Sequence, residues 1–531
     1  MTNNRYLRPD VAFEPLVNQW YAGPDLVAPG KAAMTIAYCH VELMKSFVQH
    51  PELHAQAKAH ASLTGEPFID LPAERAEAVK QLLRSIVRDQ AHMLQLARDL
   101  KTFDRFLHRE ATGLSHEPLY ARLSPALRGY VELVYDLAGQ PSIRLLEALM
   151  YRGRYANRAA QSVALTRVDG DARPFVLGTP RLLDDGDAVI TAPFASPMYD
   201  ELARARAAAV DVDQLADRLE LAGDRRARFA GLFHDAPAPQ RAAFDDGDRM
   251  RIRYLGHASV LIETRGSSVL VDPLYAYAHR GTVDVPRFTN LDLPEHIDYV
   301  AITQGHHDHL VLEALMPLRH RIGCVIVPRT GAGALEDPSL KLLLQHVGFP
   351  AVRDIDDCEV VTDGAIEIAA VPFFGKHCDL NIRGKTGYRI AAGGRAALLV
   401  AGSNNLQPET YAHVRAALGG ADALFVGLEC EGASLSRLYG ALLTDPLEHR
   451  KDQARRTQGS DAGKALELVG RFAPSQVYAY AMGQEPWLRH LFPRCYAPSD
   501  LPLREADALI AACRARGVNA ECLFGRAELV L

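Results

Sequence analysis

A chain of 531 residues is longer than one ordinary domain and predicts two, each with a sizeable apolar core. With 48% hydrophobic and 23% charged residues it is not a disordered protein, and a net charge of -6 with a pI near 6.4 argues against nucleic-acid or anionic-membrane partners, which call for a basic surface. The eight cysteines are scattered without a Cys-x-x-Cys pair, as expected of reduced thiols, and Cys378, beside His377, is the one near chemistry.

The opening MTNNRYLRPDVAFEPL has no continuous apolar region of the secretory kind, and no apolar run approaches a membrane span, so a cytoplasmic protein is expected. Helix spacing then dominates. Val79, Leu82, Leu83, Ile86, Val87, Leu94, Ala97 and Leu100 recur on helical faces, with Pro72 and Glu74 marking the start. A second set at that spacing runs Leu123, Leu127, Val131, Val134, and Pro141 ends it and opens SIRLLEALMYRG. From about residue 173, RPFVLG and AVITAPF read as short extended pieces, so residues 1–245 are expected to form a helix-rich mixed domain. HDAPAPQRAAFDDGD reads as the linker.

Residues 246–531 change texture. MRIRYLGHASVLIET, SSVLVDP, IDYVAIT, CVIVP, EVVTDGAIEIAAVPFF, GYRIAAGGRAALLVAG and ADALFVGLE read as strands, with KLLLQHVG and PETYAHVRAALGG as helices between some of them. Paired strands that give way to strands alternating with helices predict an α/β sandwich, two packed sheets with helices outside. Inside it TQGHHDHL, residues 303–310, crowds imidazoles and a carboxylate into one short loop after a strand.

GHASVLIE, VLVDP, AITQGHHDHL and the GYRI…LLVAGSNN block resemble the metallo-β-lactamase fold in kind and order. Adding LVNQWYAGPDLVAP, PFFGKHCDLN and YAMGQEPWL, the whole chain is similar to the diiron β-hydroxylases of nonribosomal peptide biosynthesis, of the chloramphenicol-pathway type. That resemblance implies a two-iron monooxygenase that hydroxylates the β-carbon of an amino acid tethered to a synthetase carrier-protein domain. It also implies a homodimer formed through the N-terminal domain.

The resemblance further implies metal ligands at 304, 306 and 376 for one ion, at 308 and 309 for the other, and a shared carboxylate at 402. The chain keeps His306, Asp308 and His309 but carries Gln304, Lys376 and Gly402 at the other three positions. Placing a divalent ion beside a buried ammonium costs several kcal/mol at an effective dielectric of about 20. With Asp308 taken as the pocket's remaining carboxylate and Lys376 as its partner, the pocket is neutral without metal. The expectation is therefore no metal or one weakly bound ion, with two irons only if the family chemistry is kept.

Three readings of the loop stay open: His306, Asp308 and His309 held by structural hydrogen bonds, a single metal with His377 substituting for the missing neighbour, or the full pair. His257 in GHAS reads as a turn or supporting histidine, and Asp272 as the residue that orients the loop. Lys376, Glu429 and Glu485 are the candidate catalytic groups. Function divides accordingly between a divergent β-hydroxylase with a degraded metal site, a catalytically lapsed carrier-protein-binding scaffold, and a metal-dependent thioester or ester hydrolase.

Overall fold

The computed structural model describes residues 4–60, 67–184, 187–239, 244–403, 405–492 and 496–531. The N-terminal part is helix-rich, as expected. The apolar stripes of Ala76–Asp89 and Ala91–Glu110 bury Val79, Leu82, Ile86, Leu94, Ala97 and Leu100. They pack beside Pro29–Thr35 and Val41–Gln49, which run on through a π-helical turn at Ile36–His40. A four-stranded sheet orders Trp20–Tyr21, Val11–Val17, Gln161–Arg167 and Ala188–Ile190.

The helical spacing of Leu123 to Val134 is misleading. Val131–Tyr135 is a strand paired antiparallel with Pro141–Leu145, and Leu123 and Leu127 bury themselves from the turns before it. Gly129, in the left-handed region at φ +78, breaks any helix there, and the β-branched and aromatic run that follows favours the extended state. Pro141, lacking an N–H, opens the second strand of this ribbon and ends no helix. RPFVLG forms no strand, whereas Ala188–Ile190 does. Residues 240–243 of the expected linker lie outside the described residues, and 235–239 and 244–248 carry neither helix nor strand.

The C-terminal part is the expected sandwich. One seven-stranded sheet orders Val352–Ile355, Ile322–Pro328, Ile297–Ala301, Ser267–Val271, Ser259–Thr264, Arg251–Gly256 and Ala527–Val530. The other orders Val360–Thr362, Glu367–Val371, Gly387–Ala392, Arg395–Val400, Ala423–Gly427, Gln476–Tyr480 and Asn519–Cys522. Alternate residues explain the continuous apolar runs. Val260, Ile262, Val269 and Val271 point between the sheets to meet Ile368, Ile390, Leu399 and Phe425. Leu261 and Leu270 point outward and join Val300 and Val325 in a core shared with the N-terminal helices. Helices Pro408–Leu418, Ala462–Phe472 and Leu501–Ala515 cover the outer face of the second sheet.

A buried ionic network also ties the two parts together. Arg173 donates to Glu14 at 2.9 Å and to Glu313 at 2.9 and 3.2 Å, and the Tyr277 hydroxyl donates to Glu313 at 3.1 Å.

Candidate metal centre

Strands of both sheets end at one rim of the sandwich, and the candidate residues follow those ends. Asp272 follows Ser267–Val271, the 303–309 loop follows Ile297–Ala301, and Lys376 lies past Glu367–Val371. Gly402 follows Arg395–Val400, and Glu429 follows Ala423–Gly427. His257 occupies the turn between Arg251–Gly256 and Ser259–Thr264. His257, Asp272 and Lys376 all hold left-handed backbone, at φ +48, +41 and +60, a cost that clusters at functional sites.

Asp272 organises the loop as expected. Its carboxylate accepts from the Thr303 amide at 2.7 Å, the Thr303 hydroxyl at 2.5 Å and His309 Nδ1 at 2.7 Å, all buried. Binding Nδ1–H leaves His309 Nε2 as the lone-pair nitrogen, the tautomer a metal ligand needs. That nitrogen lies 3.8 Å from Asp308 Oδ2, and His257 Nε2 lies 3.5 Å from the same oxygen. Ligand atoms of His257, Asp308 and His309 thus stand within 4.8 Å of one another. Burial raises the Asp308 carboxyl, but His309, His257 and His307 around it hold it well below the usual carboxylate range. Phe492 and the Trp487 indole close the far side of the turn, against His257 and Gly256 respectively.

Gln304, Lys376 and Gly402 meet nearby. A Cβ at Gly402 would stand 2.6 Å from Lys376 Cδ and 3.5 Å from Gln304 Nε2, so the lysine stem fills the space a side chain at 402 would need. The two loops are pinned together where the Phe374 amide donates to the buried Ser403 hydroxyl at 3.1 Å. Lys376 does not pair with Asp308, as the sequence had suggested. Its ammonium lies 3.0 Å from Glu429 Oε2. Burial pulls Lys376 down, but Glu429 and, less strongly, Asp308 raise it above the ordinary lysine range. The reason is geometric: His257 engages Asp308, and the strand before Glu429 delivers a second carboxylate that the sequence-based charge count omits.

His306 is held by a different partner. Its Nε2 lies 3.0 Å from the Tyr439 hydroxyl, which also lies 2.9 Å from His377 Nδ1, and the two imidazoles pack with centroids 4.4 Å apart. Burial lowers both histidines well below the imidazole range, with Lys376 adding to it in each case. Tyr439, on the short helix Leu435–Tyr439, carried no signal in the sequence; no motif surrounds it. Glu485 is buried against the Tyr254 hydroxyl, on the strand that leads to His257. Cys378 is buried, and burial pushes its thiol up to about 12, which makes it inert at neutral pH.

These side chains do not fit two divalent ions bridged at position 402. The space of the bridge holds a lysine stem, Gln304 offers a neutral amide, and His306 Nε2 is engaged by Tyr439.

The diiron non-heme β-hydroxylase N-terminal domain model matches residues 6–237, and the β-lactamase superfamily domain model matches residues 251–427. The chain is 35% identical over 534 residues to 4-amino-L-phenylalanyl-[CmlP-peptidyl-carrier-protein] 3-hydroxylase of Streptomyces venezuelae, covering 99% of each chain. It superposes on the crystal structure of CmlA, a diiron β-hydroxylase from Streptomyces venezuelae, with a TM-score of 0.93 at 34% identity, covering 100% of both chains. A mutant of the CmlA β-hydroxylase gives 0.91 at 34%, covering 99% of this chain and 100% of the other.

Proposed function

Because the chain belongs to the diiron non-heme β-hydroxylase family, we propose that it hydroxylates the β-carbon of an amino acid held as a thioester on a carrier protein of nonribosomal peptide synthesis. The observation that carries this reading is the match of 35% over 99% of both chains, N-terminal domain included, since likeness of the sandwich alone would say nothing of the substrate. The scaffold and hydrolase readings have no comparable support.

In this reading the chain's own residues position and hold protons. Asp272 fixes the His309 ring, and the Tyr439 hydroxyl accepts from one of His306 and His377 while donating to the other. Glu429, about a third exposed, meets the substrate at the mouth, and Lys376 behind it supplies a fixed positive charge. Glu485 acts through Tyr254 to position the His257 turn. The proposal takes 1–245 as the domain for dimerisation and partner contact and 246–531 as the reaction domain, in a cytoplasmic homodimer. Among the described residues no helix is long and apolar enough to cross a membrane.

The test supplies the protein with iron(II), a reductant and dioxygen, and presents carrier protein loaded with 4-amino-L-phenylalanine and, in parallel, with the common aromatic and aliphatic amino acids. Mass spectrometry of the released aminoacyl arm should show one added oxygen atom on at least one of them. No gain on any loaded arm would overturn the reading.

A further inference from the structure

We infer that this chain takes one divalent transition metal, at His257, Asp308 and His309, and that the Lys376 ammonium permanently occupies the place of a second. The inference concerns metal content alone and stands whether or not the carrier-protein reading does.

The site is built. His257 and His309 are buried, at 3% and 0% exposure, and neither His257 ring nitrogen nor His309 Nε2 makes a well-formed hydrogen bond. Asp308 Oδ1 is likewise buried without a partner. His257 Nε2 and His309 Nε2 both face Asp308, and buried polar atoms without good hydrogen bonds are costly unless something binds there. Two imidazoles and one carboxylate within 4.8 Å are the donor set of mononuclear iron and zinc sites, and the Asp272 contact to His309 Nδ1 is the supporting hydrogen bond such sites carry. His257, at a left-handed backbone position, has its buried ring facing Asp308 at 3.5 Å.

Charge sets the number. Asp272, Asp308 and Glu429 oppose Lys376, which leaves a sum of two formal negative charges from these acid and ammonium side chains. That balances one divalent ion and leaves a second uncompensated. Counting Asp308 against Lys376 alone gives zero and no metal; Glu429 and Asp272, which the fold brings to the same rim, change the sum. The three replaced positions then make one device: Gly402 opens the space, Lys376 enters it, and Glu429 holds the ammonium there.

Cobalt(II) titration of the chelator-stripped full-length protein, followed by visible absorption and by elemental analysis of the washed product, tests this. The expected saturation is one ion per chain. Asp308→Asn, which preserves shape, and His257→Ala should each weaken binding at least tenfold, as loss of a ligand does. His306→Ala should keep the parent stoichiometry. Should His257→Ala fail to fold, Asp308→Asn carries the test. Two ions per chain, none, or parent-like affinity in Asp308→Asn would overturn the inference; so would loss of the ion in a folded His306→Ala.

Discussion

Gly402→Ala is the sharpest probe of how the Lys376 stem packs against position 402. The added Cβ would lie 2.6 Å from Lys376 Cδ, about 1 Å inside ordinary carbon–carbon contact, and 3.6 Å from Lys376 Cε. The glycine's φ is not left-handed, so the penalty comes from packing and not from the backbone. The lysine stem is enclosed at 5% exposure, so overpacking of this kind costs about 1–3 kcal/mol. Lys376→Ala removes three methylenes, worth about 2 kcal/mol of burial, and frees a Glu429 that is a third exposed and can hydrate, so the ion pair itself adds only about 0–1 kcal/mol. In the double variant the methyl introduced at position 402 has nothing to strike. It should be no less stable than Lys376→Ala alone, giving a coupling of about 1–3 kcal/mol in a double-mutant cycle measured by urea unfolding. Additivity within about 0.5 kcal/mol would show that the lysine stem does not occupy the space beside Gly402.

Gln304→His, Lys376→Glu and Gly402→Asp together restore one imidazole and two carboxylates and delete the ammonium, so the triple variant should bind two iron(II) ions per chain by elemental analysis where the parent binds one; equal uptake by both would refute the positional assignment. Glu147, whose buried carboxylate accepts from the Ser339 amide at 2.9 Å, has its pKa raised to about 7 chiefly by burial. Its folded form therefore prefers the proton. That contribution is fully present below the unfolded value of 4.5 and is lost as pH rises through 7, about 3 kcal/mol in all. Urea midpoints of Glu147→Gln should accordingly fall less between pH 5 and 8 than those of the parent, and parallel pH profiles would count against it. Arg173→Met strands the Glu313 carboxylate at 6% side-chain exposure and should cost about 3–5 kcal/mol, visible as a lowered Tm; a Tm within a degree or two of the parent would contradict the network.

The sandwich was legible in the sequence because strands buried on both faces write themselves as unbroken apolar runs, and the turns between them carry glycine. The 123–134 segment was not, because four apolar residues at helical spacing look alike whether a helix or a turn-and-strand buries them. The loop was legible in composition: His306, Asp308, His309 and the orienting Asp272 all lie at the rim. Partnership was not. His257 lies 51 positions before Asp308 and Glu429 lies 53 after Lys376, so only the fold could show which charge meets which. Tyr439, between two imidazoles, sits in a helix whose sequence has no reason to attract notice.

The shared core and the Arg173 network bear on how this molecule can be taken apart. Leu261, Leu270, Val300 and Val325 turn their outward faces to the N-terminal helices, so excising residues 246–531 would strip that sheet and present to water an apolar surface that soluble proteins rarely carry. It would also leave Glu313 deprived of Arg173. Calorimetry of the intact chain should therefore show one unfolding transition in place of two. For the engineer, the N-terminal half cannot be exchanged as a cassette: a graft that alters partner choice has to bring its own cover for the sheet beneath it.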